Sequence, residues 1–131
     1  MGVGKSIQGL ACALTYMSDW PLLIICPSSL KSVWKDEIKK WLHKKIRKEE
    51  VQIIEKSGFT INPDTIKIAV FSYEIASKSV EQLSRFKTVI ADEAHYLKNH
   101  SAKRTENLLP FLCTRKRIFL LTGTPALAKP R

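Results

Sequence analysis

The sequence predicts an α/β fold, with helices covering both faces of a parallel sheet in three layers. Two observations predict it. Short apolar runs rich in β-branched residues recur along the chain, and segments with apolar residues at helical spacing lie between most of them. The runs are near-continuous rather than alternating, which suits strands buried on both faces.

Taken in order, Ser6–Met17 sets Ile7, Leu10, Ala11, Leu14 and Met17 on one helical stripe. Leu22–Cys26 is the first strand, and Pro27 ends it. Ser29–Lys45 follows as a helix, with Leu30, Val33, Trp34, Ile38, Trp41 and Leu42 on one stripe and Ser28 or Ser29 as its cap. Val51–Glu55 is a second strand, and Gly58 to Pro63 a turn or loop. Ile66–Ser72, Thr88–Asp92 and Arg117–Thr122 complete the strands, with less regular helical patterns at Glu74–Leu83 and Ala102–Phe111.

The length of 131 residues is that of one domain, and 44% hydrophobic with 26% charged residues is a globular composition. Leu22–Cys26 is far shorter than a bilayer span, and Lys5 and Gln8 interrupt any secretory apolar segment. Cys12, Cys26 and Cys113 are odd in number and widely spaced, which argues against a disulfide framework or zinc site and for a reducing compartment. Lys+Arg is 22 against Asp+Glu 12, a formal charge of +10 that calls for a polyanionic partner without naming one.

Gly2-Val3-Gly4-Lys5-Ser6 opens a predicted helix. Glycines let backbone N–H groups close around phosphate oxygens, and the helix start adds favourable partial charge. In such a loop Lys5 reaches the terminal phosphates and the Ser6 hydroxyl ligates Mg²⁺. The full P-loop pattern would place its first glycine two positions ahead of Met1. The same residues satisfy the M-G-x-x-x-[ST] acylation pattern, which keeps a myristoylated, membrane-surface protein as an alternative.

Val89-Ile90-Ala91-Asp92-Glu93-Ala94-His95 is an apolar strand running into two carboxylates. At the carboxyl edge of a parallel sheet, Asp92 would hold the water shell of Mg²⁺, and Glu93 would orient and deprotonate an attacking water. Three predicted strands precede this one, as expected where a phosphate loop and a carboxylate box meet at one sheet edge. Leu120-Leu121-Thr122-Gly123-Thr124-Pro125 is again a strand entering small polar residues, whose hydroxyls suit hydrogen bonding to the box. By itself that segment is an ordinary turn.

These motifs, with I-I-C-P-S-S-L-K-S-V-W-K-D-E-I-K-K-W and F-S-Y-E between them, occur in an order that resembles the first RecA-like lobe of the Swi/Snf family of superfamily-two helicase-like ATPases. The P-S-S-L run, the L-K-N after the carboxylate box and the T-P-A-L-A-K-P-R end resemble its annealing-helicase branch. The resemblance spans essentially the whole chain. It implies a P-loop NTPase lobe across residues 1–131, starting inside the phosphate loop and ending just after the third motif. It implies ATP and Mg²⁺ as cofactors, with Gly2, Gly4, Lys5 and Ser6 binding nucleotide and Ser6 and Asp92 serving the metal. Asp92 and Glu93 are then catalytic, and His95, Thr122, Gly123 and Thr124 couple hydrolysis to movement. Pro27, Ser28, Ser29, Ser72 and Tyr73 fall on segments that touch DNA.

The resemblance further implies a nuclear, DEAH-box-type enzyme that translocates on double-stranded or forked DNA, reanneals it and remodels stalled replication forks, without a membrane. Such enzymes hold ATP between two lobes, and the second, with its arginine fingers, lies outside these residues. A sheet lacking the strand ahead of the phosphate loop is expected to leave a central slot unfilled and to turn over ATP negligibly by itself. The other reading is a non-enzymatic fragment that binds nucleic acid or a partner through its basic surface.

Eight Lys/Arg lie between Lys31 and Lys48, against Asp36 and Glu37. Those beyond Trp41 read as a solvated helix face, and Trp34 and Trp41 as core anchors rather than base-stacking platforms. The residue pattern by itself does not place Lys98, the Arg115-Lys116-Arg117 cluster, Tyr73 or Tyr96 relative to DNA.

Overall fold

A computed structural model describes residues 3–56, 58–62, 64–94 and 108–121, the side chains of residues 3–6 and 109 excepted. Five parallel strands form one sheet: β1 (Leu22–Cys26), β2 (Val51–Ile53), β3 (Ile68–Ser72), β4 (Thr88–Ala91) and β5 (Arg117–Leu120), in the spatial order β2-β3-β1-β4-β5. Every residue of β1, β3 and β4 is buried, as their unbroken apolar runs require. The edge strands differ from that expectation. β2 is only half-buried, and β5 alternates, with Ile118 37% and Leu120 61% exposed. An edge strand has a neighbour on one side only, so its flank stays open.

Helices α1 (Val3–Thr15) and α2 (Lys31–Leu42) lie on one face, where Leu10, Ala13, Trp34, Ile38 and Leu42 pack on Leu22, Ile24, Val70 and Ile90. On the other face α3 (Tyr73–Lys78) and α4 (Leu108–Cys113) join Leu23, Ile25, Phe71 and Val89. The two-residue period of each strand thus feeds two separate cores. Connections that step one way along the sheet use one face and those stepping the other way use the opposite face, as right-handed crossovers demand.

Several sequence expectations are corrected. α1 begins at Val3 rather than Ser6, so Gly4, Lys5 and Ser6 belong to its first turn. Neither serine caps α2. A 3-10 turn at Ser28–Leu30 leads into it, and Leu30 is its N-cap without a side-chain bond. The buried row of α2 is Lys31, Trp34, Ile38 and Leu42, while Val33 and Trp41 are 43% and 44% exposed. Trp34, Ile38 and Leu42 are spaced by four residues, whereas Val33 and Trp41 sit on the helix flank. Glu74–Leu83 divides into α3 and a 3-10 turn at Val80–Leu83. Among the described residues the unfilled central slot is not found either: β3, β1, β4 and β5 pair in unbroken succession, and it is Ile118 and Leu120 of the edge strand β5 that stay exposed. No helix of the described residues is long and apolar enough to cross a membrane.

The amino edge of the sheet is tied by charge. Asp19, in the 3-10 turn Met17–Asp19 between α1 and β1, accepts from Arg117 Nε at 3.1 Å and lies 3.3 Å from Lys116 Nζ. The Arg117 guanidinium also stacks 3.7 Å from the Tyr16 ring centroid, and the Thr88 hydroxyl donates to the Asp19 carbonyl at 2.9 Å. Arg115 donates to the carbonyls of Ser84 and Phe86. The unassigned basic cluster is therefore a clamp on β5.

Burial pushes the Asp19 carboxyl up, but its hydrogen bonds and charge contacts with Arg117 and Lys116 outweigh this and hold it below 3.8. Glu50 is held below 4.5, chiefly by the Arg47 backbone N–H at 2.9 Å and then by Lys67 at 3.1 Å. A carboxyl depressed on folding contributes stability above its unfolded value and loses it as pH falls through the folded one. In urea unfolding, the stability difference between the wild type and an Asp19→Asn/Glu50→Gln double variant is expected to be constant from pH 7 to about pH 5 and to shrink below about pH 4.

Candidate nucleotide and DNA site

α1 runs back toward the start of β1, so it is antiparallel to the strands and its first turn lies at their carboxyl edge. The first four N–H groups of a helix have no intrahelical partner, so residues 3–6 present donors at that edge. Gly9 marks how closely α1 approaches the sheet: a β-carbon there would lie 2.9 Å from Leu121 Cδ1 and 3.7 Å from Ile90 Cδ1.

Asp92 follows β4 directly at the same edge and is 2% exposed. Its backbone N–H donates to the Ile25 carbonyl at 2.8 Å, extending the β1–β4 ladder. Trp34 Nε1 donates to Asp92 Oδ2 at 2.7 Å, and the Tyr73 hydroxyl donates to the Asp92 carbonyl at 2.8 Å. Carboxylate and main chain are thereby fixed from α2, β1 and α3 together.

Glu93, half-buried, has φ of 53°. A non-glycine residue in the left-handed region costs about 1 kcal/mol or more, so the chain turns sharply here at an energetic cost. Two consecutive carboxylates thus leave the strand in different directions. Ala94 N–H then donates to the Leu121 carbonyl, and Leu121 N–H to the Ala91 carbonyl. The box is consequently bonded to the residue that precedes Thr122 in sequence.

Pro27 follows β1, and Ser28 and Ser29 are exposed beside it. Ser72 and Tyr73 also stand at the carboxyl edge, but neither presents a surface to DNA. Ser72 is 2% exposed and accepts from the Ile75 N–H at 3.2 Å as the α3 cap. Tyr73 is 1% exposed and acts as a strut beneath Asp92. Gly2, His95, Thr122, Gly123 and Thr124, with Tyr96 and Lys98, lie outside the described residues. Trp41 departs from its expected core place, donating to Glu37 Oε1 at 2.8 Å with Lys40 against its ring.

The residues placed so far stand at one edge of the sheet, with Pro27 to Ser29 past the end of β1 and Asp92 and Glu93 past the end of β4. Between β1 and β4 the chain order reverses, since β1 is followed by strands on one side and β3 by strands on the other. Ligands of open α/β sheets bind at such switch points. The donor set fits a Mg²⁺–nucleotide: a buried, immobilised carboxylate faces the same edge as a helix first turn bearing lysine and serine.

Residues 1–130 match the family model of the SNF2-related domain. The chain belongs to that family. Among its relatives, DNA annealing helicase and endonuclease ZRANB3 of Bos taurus is 41% identical over 99% of this chain and 13% of its own length. SWI/SNF-related matrix-associated actin-dependent regulator of chromatin subfamily A-like protein 1 of Xenopus tropicalis is 37% identical, over 99% of this chain and 14% of its own length. The chain spans only that small share of these SNF2-related proteins. The Sulfolobus solfataricus SWI2/SNF2 ATPase core in complex with dsDNA superposes with a TM-score of 0.76, at 25% identity, over 98% of this chain and 27% of that one. The UvsW helicase from bacteriophage T4 shares the fold, with a TM-score of 0.70 at 21% identity over 96% of this chain and 45% of its own. The expected RecA-like lobe is thus the observed one.

A Trp34→Phe substitution removes the indole donor from a buried carboxylate. It is expected to cost at least about 1.5–3 kcal/mol in urea unfolding. Trp41→Phe, on the exposed flank, is expected to stay within about 0.5 kcal/mol. Equal costs for the two would remove the anchoring role of Trp34.

Proposed function

We propose that this chain is the ATP-binding lobe of a DNA-dependent ATPase that translocates on duplex DNA, reanneals it and remodels stalled forks in the nucleus. The observation that carries the reading is the placement of the α1 first turn and of Asp92 and Glu93 at the same carboxyl edge of the sheet. The names of the relatives, a DNA annealing helicase and a regulator of chromatin, and the ATPase core solved with dsDNA support the same substrate class.

In this reading Gly2 and Gly4 let the backbone approach the phosphates, Lys5 neutralises the terminal ones, and Ser6 with Asp92 serves Mg²⁺. The bound Mg²⁺–ATP supplies the scissile phosphoanhydride and a Lewis acid. Trp34 and Tyr73 keep Asp92 in place, and Glu93 orients the attacking water and takes its proton. His95, Thr122, Gly123 and Thr124 couple the box to lobe movement. Pro27, Ser28 and Ser29 meet the DNA backbone, while Ser72 and Tyr73 shape that edge from beneath. The site closes against a second lobe that supplies arginine fingers, so the 131 residues alone are expected to turn over ATP negligibly.

Three measurements on the purified chain test this. A fluorescent ATP analogue with Mg²⁺ is expected to bind, and Lys5→Ala to weaken it at least tenfold. Glu93→Gln is expected to leave that binding intact. Phosphate release should stay near background with or without duplex DNA. DNA-stimulated turnover that disappears in Glu93→Gln would overturn the inactivity of the isolated lobe while upholding the ATPase site. Salt-sensitive DNA binding with no nucleotide binding at all would favour the non-enzymatic reading, to which the exposed lysines of α2 lend themselves.

A further inference from the structure

A groove of about 640 Å³ lies at the opposite side of the sheet from β5, between α2 and the outer edge of β2. Its floor is apolar, formed by buried Ile38 and Ile46 with half-buried Val51 and Ile53. Its rim is cationic. Lys35 and Lys39 stand one turn apart on α2, Arg47 and Lys48 precede β2, all four are exposed, and Glu49 is the one acid in the lining.

β2 is paired on one side only. The Glu50 carbonyl accepts from Lys67 N–H and the Ile54 N–H donates to the Val70 carbonyl, so these groups face β3. Alternation along the strand turns the backbone groups of Val51 and Ile53 the other way, toward the groove. The Val51 N–H is spent on the Lys48 carbonyl. The Val51 carbonyl and both backbone groups of Ile53 have no hydrogen bond from any described residue.

We propose that this groove docks an extended acidic segment of a partner protein, which adds as a strand to the free edge of β2. The three open backbone groups supply the pairing, the floor receives apolar side chains from one face of the segment, and the rim cations pair with its carboxylates. The apolar floor distinguishes this occupant from nucleic acid. A phosphate backbone laid along the rim would leave half-buried Val51 and Ile53 without an apolar partner and the outward backbone groups of β2 without a strand to pair with.

The test uses the full chain and a fluorescein-labelled peptide, Asp-Glu-Val-Glu-Ile-Asp-Asp, by fluorescence anisotropy at low salt. Saturable binding is expected, weakened at least tenfold by Lys35→Glu/Lys39→Glu, whose folding is checked by circular dichroism. Two further peptides carry N-methyl groups on the amides of one edge or the other. One is expected to bind as the parent does and the other at least tenfold more weakly, because only one edge faces β2. No binding overturns the proposal, as does binding that survives the charge reversal or is indifferent to which edge is methylated. Binding of a short DNA duplex through Lys35 and Lys39 with no binding of the peptide overturns it as well.

Discussion

The hydrogen bond from Trp34 Nε1 to Asp92 is the constraint on which the carboxyl edge depends. A carboxylate that is 2% exposed has given up most of its water, and an isolated charge in that position costs several kcal/mol. A bond of 2.7 Å from a fully buried indole offsets part of that cost and fixes the orientation of the group. The same bond locks α2 onto the sheet, because Trp34 is the largest fully buried side chain of that face. Tyr73 and Ile25 hold the main chain of the residue from the other face and from the neighbouring strand. Removing any one of these leaves a polar group buried without its intended partner.

Charge is divided between the two ends of the sheet. At the amino edge Asp19 gathers Lys116 and Arg117, and with Arg115 on the carbonyls of Ser84 and Phe86 it fastens β5 to the body of the molecule. Lys31 is spent likewise, its ammonium donating to the Ile54 carbonyl at 2.8 Å with Glu55 at 3.6 Å. These cations are structural, which reduces the positive surface that the composition promises. Among the described residues, the exposed cations are concentrated on α2 and the turn after it, at the side of the sheet remote from the clamp. The rigid clamp and the strained turn at Glu93 stand at opposite ends of β4, so the stress of the functional end is borne by a core anchored elsewhere.

The strands were legible because burial on both faces requires unbroken apolar runs, and β1, β3 and β4 have them. The place of Asp92 and Glu93 at the carboxyl edge was legible because they directly follow such a run. The fates of Trp34 and Trp41 were not. Both are tryptophans of one helix with apolar neighbours, yet one is buried on Asp92 and the other stands in solvent over Glu37. The rotation of α2 about its axis decides between them, and the rotation is set by contacts with β1 and β3. Ser72 and Tyr73 misled for a related reason. A hydroxyl at a strand end can face DNA, cap a helix or bridge to another strand, and nothing local chooses among these.

Taken alone, the sequence determined the layered α/β class, the positions of the strands and the family to which the order of motifs belongs. Those properties follow from period, composition and order, which are local or one-dimensional. The tertiary structure decided which polar groups are spent inside the fold and which remain for ligands. It assigned Trp34 and Tyr73 to Asp92, the Arg115-Lys116-Arg117 cluster to the amino edge, and the open backbone of β2 to a basic groove. Each of those is a pairing between residues distant in the chain, made where packing brings a buried donor to a buried acceptor, and no spacing along the sequence encodes it.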